Sequence, residues 1–302
     1  MWIPIQPTAN KTEFQRLFLW TLVAAYTVSL PYIILIYEML VRTFSKALVE
    51  TIPLVTIVIL ALTYIAFGVF AKKDKYHYIA LILCLIIIYV IVSFTPVRNT
   101  HFHVTEYVIL SWMVFKALSI DYRGSGIFTL VFICSSLLGV VDELLQGIHP
   151  QRYFLIQDLA VNTASTLVGV ISLMGIKRGS RHDWRHGWEW VGLIGRKKKT
   201  LGLIFAGFLG AFVMCAYLQK VKIIGAFRGI YPPWLIGWNV AFVALGVFFI
   251  RRTGKSVTGV GKLREKAREM LTARLWVLCP LSILVAIHSL VFFVVLPGWE
   301  FK

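Results

Sequence analysis

Residues 76–97 read YHYIALILCLIIIYVIVSFTPV, 22 uncharged side chains between Lys75 and Arg98. About 20 apolar residues in a helix cross a hydrocarbon core. Inside lipid the backbone must satisfy its own hydrogen bonds, which a helix does. Five further windows of this kind flank the first. They hold 21 residues between Arg16 and Glu38, 21 between Glu50 and Lys72, 20 between Lys199 and Lys220, 22 between Arg228 and Arg251, and 25 between Arg274 and Glu300. Three weaker windows lie in the middle of the chain. One runs from Val104 to Leu118 and is interrupted by Glu106 and Lys116; two of 18 residues lie between Arg123 and Asp142 and between Asp158 and Lys177. The expected fold is therefore all-α, a polytopic transmembrane helix bundle of about nine spans.

Composition agrees with this reading. The chain has 302 residues, 58% hydrophobic and 15% charged, with a mean hydropathy of +0.77. Soluble domains are roughly 25% charged. A soluble enzyme, a disordered chain and a secreted disulfide scaffold are excluded. Cys84, Cys134, Cys215 and Cys279 all sit in apolar runs without a CxxC pair, so neither a zinc site nor a disulfide framework is expected. Sixteen fairly polar residues precede the first span, which reads as a signal anchor kinked near Pro31 and not as a cleavable signal peptide. Pro232-Pro233 breaks the chain before the eighth span, where Trp234 and Trp238 suit an interfacial belt.

The formal charge of +17 sets the orientation. With a cytoplasmic N-terminus, the inner segments carry 23 Lys and Arg and the outer segments 8. That bias favours N-inside and C-outside. The basic loops 177–200 and 251–274, including Arg196-Lys197-Lys198-Lys199, then lie beside anionic lipid, so the expected partners are membrane lipids and not nucleic acid.

This topology brings two polar stretches to the outer face, His101–Tyr107 and Asp142–Asp158. Helical spacing puts His103, Glu106 and Tyr107 on one face. It also pairs Asp142 (i, i+4) and Glu143 (i, i+3) with Gln146. Asp158, Asn162, Ser165 and Gly169 lie along one stripe. Ionisable groups within membrane helices face the bundle interior or a water-filled cavity, and the three faces predict one outward-opening polar site. Asp142 and Glu143 point about 100° apart on an ideal helix, so one is expected to serve the site and the other a structural pair.

Asp142-Glu143-x-x-Gln146, Pro150-x-Arg152, Asp158-x-x-x-Asn162 and Gly169, preceded by His103-x-x-Glu106-Tyr107-x-x-Leu110, resemble the signature of the VanZ-like family. The resemblance covers residues 78–176. Gln151 and Ser165 depart from it, standing where glycines are usual. It divides the chain into two N-terminal helices (1–77), a VanZ-like four-helix domain (78–176) and a C-terminal part with basic loops and three helices (177–302). The family is linked to low-level glycopeptide resistance. The resemblance implies a multi-pass protein of the bacterial cytoplasmic membrane, at the cell envelope.

The candidate acid–base residues are His103, Glu106, Asp142, Glu143 and Asp158; the candidate binding residues are Gln146, Arg152 and Asn162. The Arg152 fork suits the phosphate of an anionic lipid or envelope precursor; the structural alternative is an ion pair with Asp158 or Glu143. His103 with Glu106 reads as a general base with its orienting carboxylate, or as a stabilised helix start. No recognised metal spacing is present, and no metal or cofactor is expected. His288 reads as a satisfied core histidine. No Gly-x-Ser-x-Gly or His-Glu-x-x-His occurs, and Gly254-Lys255-Ser256 lacks the first glycine of a P-loop, with Phe249 in its place. An envelope enzyme, a transporter or lipid-handling protein, and an accessory membrane protein whose cluster only locks the fold all remain open.

Overall fold

The structure, a computed structural model, describes residues 9–95, 98–122, 126–149, 152–177, 198–224, 231–254 and 264–301. Among them every regular element is helical. The helices are α1 (Ala9–Ser29), α2 (Ile33–Thr43), the short α3 (Lys46–Val49), α4 (Ile52–Phe70), α5 (Lys75–Phe94), α6 (Phe102–Leu118), α7 (Ile127–Ile148), α8 (Ile156–Ile176), α9 (Lys198–Ile224), α10 (Pro233–Gly254) and α11 (Arg264–Val295). Most of the two basic loops, with Arg196, Lys197, Lys255 and Ser256, lies outside the described residues, as do Pro150 and Gln151.

Eight helical stretches are long and apolar enough to cross a membrane. They take in all six clean windows and two of the three weaker ones. The first runs from Glu13 to Thr43 and is interrupted by the tight turn Leu30–Tyr32, where Pro31 lacks an amide hydrogen. Pro233 opens α10, where a missing amide hydrogen costs nothing. Pro280 sits inside α11, a placement membrane helices tolerate. The remaining window forms α6, whose 17 residues include Glu106 and Lys116.

The helix ends meet in two groups. At one end Arg16 holds Asp121 through two hydrogen bonds, one of 2.7 Å. There too Lys73 Nζ donates to Ile176 O at 2.8 Å, and Trp276 Nε1 donates to Tyr122 Oη at 2.9 Å. At the other, Thr56 meets Thr105, Ile156 N donates to Gln219 Oε1, Tyr231 Oη donates to Trp299 O, and Phe154 packs on Phe301. Up-and-down connection of successive helices produces such a grouping.

Burial separates perimeter from centre. Only 22% of the apolar window is buried in α4 and in α5, against 72% in α7. The outer helices present Val58, Ile59, Leu62, Ile82, Ile86 and Tyr89 outward, which a lipid-facing surface accommodates and water does not. α7 runs through the middle, against α6, α8, α1 and α11. One hydrophobic core joins Val23, Leu110, Leu130, Leu173, Met214 and Leu284, so it runs through all three sequence blocks. Small residues set the spacing around α7 and α8. A Cβ on Gly169 would lie 2.7 Å from Ser111 Cβ and 3.1 Å from Val108 Cα, and one on Gly139 would lie 3.1 Å from the Tyr107 ring. Close approach of this kind is how helices pack in lipid, where no hydrophobic force joins them.

Candidate functional site

The site grows from the C-terminal half of α7. The apolar run ends at Val141, yet the helix continues to Ile148 and carries Asp142, Glu143 and Gln146 into the bundle. Asp142 and Glu143 are wholly buried and Gln146 is 1% exposed. A buried carboxylate is costly without hydrogen-bond donors, and the flanking helices supply them. From α6, Tyr107 Oη donates to Asp142 Oδ2 at 2.8 Å. From α8, Asn162 Nδ2 donates to Glu143 Oε1 at 3.1 Å. Gln146 Nε2 bridges the two, 3.0 Å from Asp142 Oδ2 and 3.1 Å from Glu143 Oε1.

The spacing predicts that the adjacent carboxylates part, one to the site and the other to a structural pair. Their side chains do diverge, one toward α6 and the other toward α8. Because α7 is enclosed on both sides, each direction leads into the same network.

Arg152 completes this part. Its Nε donates to Gln146 Oε1 at 3.0 Å, and its Nη2 donates to the same oxygen. The fork is thus engaged by a neutral amide, where a direct pair with Asp158 or Glu143 was the expected structural role. Gln146 stands between the guanidinium and both carboxylates.

At the start of α6, His103 Nδ1 lies 2.9 Å from Glu106 Oε2, both side chains about nine-tenths buried. The spacing i, i+3 brings them together, and i+4 turns Tyr107 toward Asp142. Tyr26, from α1, donates to Glu106 O at 3.2 Å. His103, Glu106 and Arg152 line one crevice of about 20 Å³, closed by Leu30, Ile33 and Tyr37. That volume holds about one water molecule. Larger cavities lie elsewhere and are apolar. One of about 340 Å³ lies among α4, α5, α6 and α8, and one of about 660 Å³ between α1, α7 and α11.

Asp158 lies in the first turn of α8, half-buried. One potential ligand atom each from His103, Glu143 and Asp158 falls within 4.8 Å of the others. The eight candidate residues from α6, α7, α8 and the α7–α8 connection therefore meet at one end of the bundle. Asp142 Oδ1, Glu143 Oε2 and Asn162 Oδ1 are buried there without a hydrogen-bond partner among the described residues. Chemically, the arrangement offers an imidazole–carboxylate pair, buried carboxylate oxygens and one guanidinium beside the crevice.

Tyr26 and Tyr37 were not legible as members of the site. Each is one aromatic residue in an apolar run, distant in sequence from α6. Three further histidines, His77, His101 and His288, are buried among the described residues; His101 Nε2 lies 3.2 Å from Thr95 O. His288 Nδ1 lies 2.9 Å from Asn239 Oδ1 and its Nε2 lies 3.3 Å from Gly207 O, as befits a core histidine with both nitrogens engaged. His77 is held by Tyr64 O and Gly175 O and stacks on the Tyr64 ring.

Comparison with known proteins finds no matching family model, no similar curated protein and no similar solved structure.

Proposed function

We propose that this chain is a VanZ-like protein of the bacterial cytoplasmic membrane, with nine spans, N-terminus inside and C-terminus outside. α6 is the ninth span. Glu106 stands against His103 and Lys116 is exposed in the last turn, so a window that fails on composition alone still suits a bundle. The 23 to 8 distribution of basic residues supports the orientation.

We further infer that the polar network at the outer end acts on a lipid-linked envelope substrate. The observation that carries this is the crevice shared by His103, Glu106 and Arg152. His103, oriented by Glu106, is the acid–base group. Arg152 takes the substrate phosphate by exchanging its amide partner for charge-assisted, two-pronged hydrogen bonds. A second reading, ion-coupled transport, draws on the charge balance. Among the described residues, three buried carboxylates, Glu106, Asp142 and Glu143, stand near one guanidinium and the His103 ring, and such an excess attracts protons or cations more readily than anions.

The test is expression in a glycopeptide-sensitive bacterium. Wild-type protein is expected to raise teicoplanin tolerance. Arg152→Lys, which keeps the charge and loses the fork, and His103→Asn are expected to abolish the gain at equal membrane levels. Unchanged tolerance with wild-type protein removes the envelope-substrate reading. Retained tolerance in Arg152→Lys removes the two-pronged phosphate contact.

A further inference from the structure

We propose that His103, Glu143 and Asp158 form a binding site for a divalent transition-metal ion, Zn²⁺ or Mn²⁺, buried near one end of the bundle. The inference uses the cluster described above, does not depend on an envelope substrate, and gives the His103 ring to the cation where the envelope reading makes it the acid–base group.

The arrangement around each ligand carries the argument. Metal-binding histidines almost always have the second ring nitrogen held by a carboxylate or carbonyl, which fixes the ring and its tautomer. His103 Nδ1 lies 2.9 Å from Glu106 Oε2 but makes no hydrogen bond among the described residues, so the carboxylate stands beside the ring while a buried ring nitrogen is left unpartnered. Ligating carboxylates are hydrogen-bonded in turn. Glu143 Oε1 accepts from both Gln146 and Asn162, which fixes the carboxylate from two helices. Its other oxygen, Oε2, is buried without a hydrogen-bond partner among the described residues, in a side chain with no solvent exposure. Asp158 supplies the third ligand atom, from α8. Each ligand thus comes from a different helix, and Glu143 on α7 has its non-ligating oxygen already engaged.

Geometry and charge agree. The three ligand atoms lie within 4.8 Å of one another. Around a tetrahedral ion with bonds of about 2.1 Å, neighbouring ligands stand about 3.4 Å apart. Binding therefore asks the side chains to close by about an ångström, a matter of χ rotation in glutamate and aspartate. One imidazole with two carboxylates suits Zn²⁺ or Mn²⁺ better than Ca²⁺, which takes oxygen ligands alone. Two of the three ligands are carboxylates, whose charge a divalent ion offsets. Spacing along the chain gave no sign of the set, because its members are 40 and 15 residues apart on three helices.

The test uses full-length protein in detergent, in a Cys134→Ser, Cys279→Ser background, because the Cys134 and Cys279 thiols lie side by side and would compete for metal. After dialysis against chelator, Zn²⁺ or Mn²⁺ is restored and retained metal is measured by elemental mass spectrometry, with thermal unfolding in parallel. About one equivalent per chain and a raised melting temperature are expected. His103→Asn and Asp158→Asn are expected to lose the metal and the shift together. Asp158 lies half-buried in the first turn of α8, so its variant tests the site even where a Glu143 change prevents folding. Metal retained equally by both variants, or none retained by the parent at millimolar supply, overturns the proposal. Because the readout is metal content, it stands or falls apart from the teicoplanin assay.

Discussion

Removing the Tyr107 hydroxyl tests the charge state of the network directly. Tyr107 Oη donates to Asp142 Oδ2 at 2.8 Å, and neither side chain is exposed. In Tyr107→Phe that oxygen keeps only the Gln146 amide at 3.0 Å. Two magnitudes compete. A hydrogen bond to an ionised group contributes about 1.5–3 kcal/mol. A neutral hydrogen bond between membrane helices averages about 0.6 kcal/mol. Asp142 Oδ2 accepts from two donors on two helices. With an ionised acceptor, Tyr107→Phe is expected to cost about 1.5–3 kcal/mol. The same change in an Asp142→Asn background, where the acceptor is a neutral amide, is expected to cost about 0.6 kcal/mol. The four proteins of the cycle are unfolded reversibly in mixed micelles of mild and denaturing detergent and followed by circular dichroism. A cost near the lower figure in both backgrounds refutes an ionised Asp142. No cost in either refutes the contact.

Two further outcomes follow from the same geometry. Gln146→Glu replaces an amide that donates to both carboxylates by a third acceptor in a fully packed space; it is expected to cost about 3–5 kcal/mol, and a melting temperature within a degree or two of wild type would contradict the bridging role. For topology, single cysteines on a cysteine-free background at Ser45 and Glu300, both exposed, are expected to react with an impermeant thiol reagent in intact cells, and one at Lys72 to resist it; labelling at Lys72 alone would invert the orientation.

Much of the fold was legible because hydrocarbon imposes a rule that sequence shows openly: about 20 residues free of charge for each crossing. That rule also explains where the reading fell short. It treats a charged residue as the end of a span, so it stopped the fifth window at Asp142. The helix runs on to Ile148 because Tyr107 and Asn162 supply the donors that water would otherwise give. Helical spacing found the His103–Glu106 and Glu143–Gln146 contacts, which are local. It could not assign the Arg152 partner, because that depends on how the chain turns between α7 and α8. Nor could it find Tyr26, whose contact with α6 spans 80 residues.

Gln146 shows why a neutral residue sits at the centre of a charged cluster. Its amide has two donor hydrogens and one carbonyl oxygen. The donor side faces Asp142 and Glu143; the oxygen receives Arg152. A lysine there would satisfy the carboxylates and repel the guanidinium. A glutamate would hold the guanidinium and repel both carboxylates. Only a side chain that donates and accepts at the same end keeps both signs of charge close without a direct ion pair. That separation has a chemical consequence. A direct Arg152–carboxylate pair would lock the guanidinium against a charge, whereas an amide oxygen is a weaker partner that a phosphate displaces more easily. Glu143 likewise spends one oxygen on amides and keeps the other, so the network is rigid through its neutral members and open at its charged ones. The amides of Gln146 and Asn162 hold Glu143 by one oxygen, while His103 stands against Glu106 at the neighbouring helix start.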